Sequence, residues 1–270
     1  MKFYIVSNSE KRSADKISAE LTAELQKQKI EYEIDSVTFN SDLSEDKIKS
    51  SDMLVAVGGD GTMIHIAKIA ARFGKPVLGI NAGRVGYLAG LESNELARIS
   101  EINNGKYFIT ERMMLDVALD GEHYTCLNDA VVSKGALSRI VDIKVSCGGN
   151  IIKYRADGVI VATPTGSTAY SMSAGGPVVD PSINCMVVSP ICPHSFFSRP
   201  LVIGDGDVIK ISAGNQNATR VCLTIDGEQV VSLSENADLV IKKSELSAKL
   251  VSIEKNSFYK TFSQKLKWGE

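Results

Sequence analysis

Three stretches of this sequence join residues that can do chemistry to glycines that let a backbone come close to a ligand. In Val57-Gly58-Gly59-Asp60-Gly61-Thr62 an apolar strand runs into a glycine turn and then a helix. Such a turn brings the backbone near a phosphate, and the helix N-terminus points unpaired N–H groups at an anion. Gly58, Gly59 and Thr62 are therefore candidate phosphate contacts, and Asp60 is a candidate catalytic carboxylate beside them. Taken alone, the same turn is equally a tight strand-to-helix connection in which Asp60 caps the helix. It lacks the lysine of the P-loop motif and the glycine spacing of the dinucleotide-binding fingerprint.

The second stretch, Asn81-Ala82-Gly83-Arg84-Val85-Gly86-Tyr87-Leu88, follows the apolar segment Pro76 to Ile80 and also sits at a strand's end. Glycine loops at two adjacent strand ends would converge on one crevice, the plain alternative being a pair of structural turns. The third begins at Asp157-Gly158, crosses the apolar run Val159 to Ala162, and continues from Thr163 to Pro177 in a loop dense in hydroxyls and glycine. Hydroxyls and exposed amides suit a base and a ribose, and Tyr170 can stack or pack against them. A polar surface loop has the same composition.

These stretches need elements to position them. Lys2 to Val6 reads as a strand, and Ala14, Ile17, Leu21 and Leu25 share one face of a following helix. Further strands are expected at Ile30 to Phe39, Met53 to Val57 and Pro76 to Ile80, with helical stretches between several of them, so a Rossmann-like parallel sheet is expected. After about residue 105 the texture changes to successive strands with turns at Asp120-Gly121, Gly148-Gly149-Asn150 and Asp226-Gly227. Phe258, Phe262 and Leu266 then recur at helical spacing. The expected organisation is an α/β domain over 1–105, a β-rich domain over 106–255, and a C-terminal helix over 256–270 packing back on the first domain. His65 reads as a residue of a helix face and His123 as one flanking a hairpin.

The 270 residues, 44% hydrophobic and 23% charged, belong to an ordinary globular protein. A net charge of −2 offers no broad basic surface, which excludes extended nucleic-acid binding and points to a small ligand. There is no apolar run of about 18 residues or more and only a short apolar start, so neither a membrane span nor a secretory signal is expected, and the location is read as cytoplasmic. Five cysteines without a Cys-x-x-Cys pair read as reduced thiols rather than a metal or redox centre.

Together, Gly58 to Thr62, Asn81 to Leu88, Asn128-Asp129, Asp157-Gly158, Thr163 to Tyr170 with Ser173 and Gly175-Gly176, then His194, Ser198 to Pro200 and the ending near Leu266 to Trp268, closely resemble the NAD kinase family of bacterial type. Diacylglycerol kinases, sphingosine kinases and phosphofructokinases share only the Gly-Gly-Asp-Gly turn. The resemblance implies an α/β domain followed by a β-rich domain, and transfer of a phosphoryl group from ATP or another donor to the ribose 2′-hydroxyl of NAD. It implies Asp60 as the catalytic residue and Gly61, Asn128, Asp129, Arg139, Arg155, Asp157, Thr165, Thr168, Ala169, Tyr170 and Ser173 as substrate contacts. It further implies a homodimer or homotetramer, in which Asp157 can reach a dinucleotide held by a neighbouring subunit. A divalent cation, Mg²⁺ or Mn²⁺, is expected on the substrate phosphates, with no protein ligand named. Asp129 stands where the family commonly has glutamate. A non-catalytic NAD sensor would keep the pocket and lose the chemistry, against which Asp60 argues.

Overall fold

A computed structural model describes residues 1–38, 41–83, 86–135, 140–195, 198–214, 221–234, 237–255 and 257–266. Of the residues named above, Phe39, Arg84, Val85, Arg139 and Trp268 lie outside these. The chain forms two compact units, one made of Met1–Arg112 with Ser247–Glu270 and the other of Met113–Leu246.

In the first unit β1 (Lys2–Asn8) leads into α1 (Arg12–Lys27), whose Ala14, Ile17, Leu21 and Leu25 are all buried. Their spacing of three and four makes the apolar stripe that packs on the sheet. β2 (Glu31–Val37), α2 (Glu45–Ser50), β3 (Met53–Gly58), α3 (Asp60–Arg72) and β4 (Pro76–Asn81) follow. The strands pair in parallel in the order β2-β1-β3-β4. Every residue of β3 is buried, as expected of a strand covered on both faces. The chain leaves β1 towards β2 and returns on its other side as β3, so the order reverses between β1 and β3. A ligand crevice belongs outside the carboxyl ends of those two strands.

The free edge of β4 is completed by β5 (Leu91–Glu92) and by Lys249–Val251 near the end of the chain, both parallel to it. After β5 a short 3₁₀ turn and α4 (Ile99–Asn103) close this part of the unit.

The second unit is built from the later part of β6 (Phe108–Leu119), β7 (Glu122–Cys126), β8 (Asp129–Lys134), β9 (Val141–Cys147), β10 (Asn150–Ala156), β11 (Gly158–Ala162), the one-turn α5 (Tyr170–Ser173), β12 (Cys185–Ile191), β13 (Leu201–Gly204), β14 (Val208–Gly214), β15 (Val221–Ile225), β16 (Gln229–Leu233) and the first part of β17 (Leu239–Ser252). The order β13-β12-β11-β8-β15-β16 makes an antiparallel sheet. β10, β9, β14 and β17 pair antiparallel beside one another, and β6 pairs with β7 and β17. Inward residues of both groups share one core, including Leu115, Val132, Ile143, Val161, Val188 and Ile241. Asp120-Gly121, Gly148-Gly149 and Asp226-Gly227 all have positive φ, as their hairpins require.

The division differs from the one expected from composition. The first segment runs on to Arg112, and the chain rejoins the first unit at Ser247, within β17 and well before the final helix. Composition reads Ser247 to Ser252 as one more strand of a β-rich run, whereas backbone pairing with β4 assigns it to the α/β unit. α6 (Ser257–Leu266) belongs to that unit too, and its Phe258 ring lies 6.5 Å from the ring of Tyr87. No helix among the described residues is long and apolar enough to cross a membrane. None of the five cysteines is in a disulfide.

Candidate functional site

The glycine turn lies at the carboxyl end of β3, in the crevice position that the strand order specifies. A methyl at Gly58 would overlap the Thr62 side chain, so only glycine allows the turn to fold this tightly onto the helix. Gly59 is the N-cap residue of α3 and supplies no side-chain cap, while Gly61 is exposed in the first turn. The first N–H groups of any helix have no partner within it, which suits this end to an anion. Thr62 is buried and its hydroxyl accepts from Asn8 Nδ2 at 3.1 Å, tying the end of β1 to the first turn of α3. Lys11, from the loop after β1, places Nζ 3.2 Å from where a Gly59 Cβ would stand. A cation therefore stands beside a turn whose own sequence has none.

Asp60 does not cap its own helix. Its carboxylate accepts the backbone N–H of Tyr87 at 3.0 Å and of Leu88 at 3.3 Å, so the second glycine loop grips the acid of the first. Gly86 is needed for this approach, because a Cβ there would overlap Asp60 Oδ1. Gly86→Ala should therefore force the loop or the carboxylate aside and lower stability by about 1–3 kcal/mol, the usual cost of overpacking. Urea unfolding measures it, and a variant with an unchanged midpoint would show that the loop does not clamp Asp60.

The second unit carries a cavity of about 310 Å³ lined by Asn128, Asp129, Val131, Ser133, Ala169, Tyr170, Thr224, Asp226 and Gly227. Successive side chains of a strand alternate between faces, so Ala130 and Val132 enter the core while Asp129, Val131 and Ser133 line the cavity. Thr224 stands opposite Val131 on β15. The expected residues Asn128, Asp129, Ala169 and Tyr170 meet here; Val131, Ser133, Thr224 and Asp226 were not anticipated. The period-two pattern of β8 carried the signal for Val131 and Ser133, since it puts them on the face of Asp129.

The hydroxyl-rich loop does something other than its composition suggests. Thr163 donates to the Leu127 carbonyl and accepts from Gly166 N–H, Ser167 donates to the Pro164 carbonyl, and Thr168 donates to the Thr165 carbonyl. A methyl at Gly166 would overlap the Asn128 carbonyl. These groups fold the loop upon itself and against the Leu127–Asn128 segment that leads into β8, with Thr165 and Thr168 buried. Ala169 and Tyr170 are what the loop gives the cavity, Tyr170 with 46% of its surface exposed, while Ser173 is exposed on α5.

Asp129 is only 5% exposed, and burial, reinforced by the charge of Asp226, pushes its carboxyl up to about 7. The Asp226 carboxylate accepts the N–H groups of Leu127 at 3.0 Å, Asn128 at 2.7 Å and Asp129 at 3.2 Å.

Asp157 and Arg155 are placed elsewhere. Asp157 precedes the first residue of β11 and does not itself line the cavity, although the register sets its neighbour Gly158 opposite Ser133, with Ala162 opposite Asp129. Its carboxylate pairs with Lys134 at 2.7 Å. Arg155 is an exposed residue of β10, across from Asp142. His65 lies in α3, and His123 in β7 meets Asp116 at 3.0 Å. Among the described residues no three His, Cys, Asp or Glu side chains converge to hold a metal.

Two family models match the chain, the ATP-NAD kinase N-terminal domain over residues 7–107 and the ATP-NAD kinase C-terminal domain over residues 127–253. An NAD kinase of Natranaerobius thermophilus is 36% identical over 93% of this chain and 94% of its own length. One of Treponema denticola is 36% identical over 99% of this chain and 96% of its own. Among solved structures, an NAD kinase from Archaeoglobus fulgidus in complex with ATP matches with a TM-score of 0.79 at 26% identity, covering 99% of both chains. A yeast NADH kinase complexed with NADH shares the fold, with a TM-score of 0.86 at 24% identity over 98% of this chain and 87% of that one.

Proposed function

The chain belongs to the NAD kinase family, and from that membership we propose that it transfers the terminal phosphoryl group of ATP to the 2′-hydroxyl of the adenosine ribose of NAD, giving NADP. The observation that carries this is the fall of the two family matches: the first contains the Asp60 turn and the second contains the nucleotide-sized cavity.

Phosphoryl transfer has a loose transition state, so an enzyme chiefly positions the reacting oxygens and neutralises charge. Here the backbone of Gly58, Gly59, Gly61 and Thr62 cradles phosphate, with the Lys11 ammonium beside it. A carboxylate has about four acceptor positions; two on Asp60 are taken by Tyr87 and Leu88, which fix its orientation and leave room for the ribose hydroxyl. Asp60 accepts that hydroxyl's proton as the oxygen bonds to phosphorus, and the donor leaves as a nucleoside diphosphate. Asn128, Asp129 and Tyr170 hold the dinucleotide. A divalent cation, Mg²⁺ or Mn²⁺, would come with the donor phosphates, since no cage of side chains is present among the described residues, and would neutralise their charge. The protein works in the cytoplasm as a homodimer or homotetramer, a reading supported by the family resemblance.

The test is product analysis with Mg-ATP and NAD, run beside another triphosphate, polyphosphate, NADH as acceptor, and diacylglycerol. NADP is expected from ATP and NAD. Failure to form NADP with any donor, with NAD still bound, would favour a sensor, and phosphorylated lipid would favour a lipid kinase.

Tyr170 bears on the binding half of this proposal. Tyr170→Ala should weaken NAD binding by about 1–2 kcal/mol, as befits an aromatic that covers a ligand while half exposed without it. Calorimetry giving unchanged affinity in a folded variant would return Tyr170 to a surface loop.

A further inference from the structure

The Asp226 carboxylate reaches back across 98 residues to the N–H groups of three consecutive residues that lead into β8. It does so from a turn where it adopts φ of 50°, a conformation that aspartate tolerates and most residues do not. Both Asp226 and Asp129 line the cavity, one accepting the N–H of the other. We propose that Asp226 is a positioning residue of the NAD pocket, which fixes the Leu127–Asp129 backbone and holds Asp129, buried and beside a second carboxylate, as a neutral acid that donates a hydrogen bond to NAD.

The surroundings agree. β11 and the Thr163–Ala169 loop bring no ionisable side chain to Asp129, α5 brings Tyr170, β7 brings Cys126, β15 brings Cys222, and the β15–β16 turn brings Asp226 and Glu228. Lys134, at the far end of β8, is engaged by Asp157 at 2.7 Å. These elements therefore give Asp129 no cation to stabilise its charged form. Burial, with Asp226 adding to it, sets the carboxyl at about 7, whereas a carboxyl in water titrates near 3.9. A neutral carboxyl donates one hydrogen bond, and an ionised one donates none. This also gives meaning to aspartate rather than glutamate here: the shorter side chain stays back beside Asp226 and the strand instead of reaching towards solvent.

The sign follows from which form binds. If the neutral acid receives NAD, affinity is full below the midpoint and falls as pH rises through it. With a midpoint of about 7, the dissociation constant should be roughly tenfold larger at pH 8 than at pH 6, as the competent fraction shrinks. Asp129→Asn, which keeps a donor and cannot ionise, should lose that dependence. Asp226→Asn keeps the turn's size and one acceptor oxygen and removes the charge, so it should move the midpoint to lower pH.

Two measurements on the full chain test this: calorimetry with NAD from pH 5.5 to 8.5, and NMR titration of the Asp129 carboxyl without ligand. The NMR result is independent of the proposed activity on which the inference rests, so a protein that binds no NAD would count against the activity and leave the titration to decide. A carboxyl of Asp129 that titrates in the ordinary range, or an NAD affinity with the same pH profile in wild type and Asp129→Asn, overturns the inference. Should Asp226→Asn fail to fold, the wild-type titration and the Asp129→Asn profile still decide it.

Discussion

Asp60→Asn should lower kcat by roughly 10²–10⁴, the range associated with losing a positioned general base, while NAD remains bound. Asparagine is nearly the same size, and its oxygen can still accept from one of the two N–H groups that hold the carboxylate. Its NH₂ group would face the other as donor against donor, so a small local adjustment is expected, confined to the Tyr87–Leu88 loop. The variant can no longer take up the hydroxyl proton. The pocket of Asn128, Asp129 and Tyr170 lies in the other unit and is untouched by the substitution, so kcat should fall with little change in NAD affinity. A folded Asp60→Asn enzyme with more than about a third of wild-type kcat would remove Asp60 from the chemistry, since such a loss falls far short of a missing base.

Mixing two dead enzymes should make a live one. Asp157 is not among the residues that line the cavity of its own chain; its backbone carbonyl accepts from Lys134 N–H at 2.9 Å and its carboxylate pairs with the Lys134 ammonium. In its own chain Asp157 thus lines no part of that cavity, which suits a residue that completes a partner's site. Asp60→Asn and Asp157→Ala should each be nearly inactive alone. Lys134 and Asp157 are both partly exposed, 29% and 34%, so losing this ion pair costs little stability. In a mixed isologous dimer both lesions fall in one site and the other is intact. With random pairing about half the dimers are mixed, each with one good site of two, so activity should recover to about a quarter of wild type. No recovery in mixed dimers, confirmed by differently tagged subunits, would assign Asp157 to its own chain's site or to none.

Much of this was legible in residue patterns. The 3.6-residue spacing of Ala14, Ile17, Leu21 and Leu25 marks α1, and the apolar run of β3 leading into Gly58, Gly59 and Gly61 marks the turn that carries Asp60. Hairpins at Asp120, Gly148 and Asp226 are written in residues that accept positive φ. What composition hides is where a polar group spends its hydrogen bonds. The hydroxyls of Thr163, Ser167 and Thr168 also close their own loop, because a buried hydroxyl must find a partner and the carbonyls of Leu127, Pro164 and Thr165 are at hand. Asp226 looks like a turn residue, and its bonds to Leu127, Asn128 and Asp129 join segments remote in sequence, which no local spacing can reveal. Asp60 looks like a helix cap; only the fold brings Tyr87 and Leu88 to it.

The first unit is not made from one stretch of chain, and this has a consequence for its birth on the ribosome. Once β5 has emerged, β4 has neighbours β3 and β5, but the rest of its outer edge awaits Lys249–Val251, translated after the whole second unit. An unpaired edge invites wrong partners for as long as it stays open. The ring of Phe258, later still, is what lies against Tyr87, the residue whose amide grips Asp60. Until Phe258 arrives a nascent chain therefore lacks the ring that lies against Tyr87, and premature termination before β17 should give a product for degradation rather than a partly working enzyme.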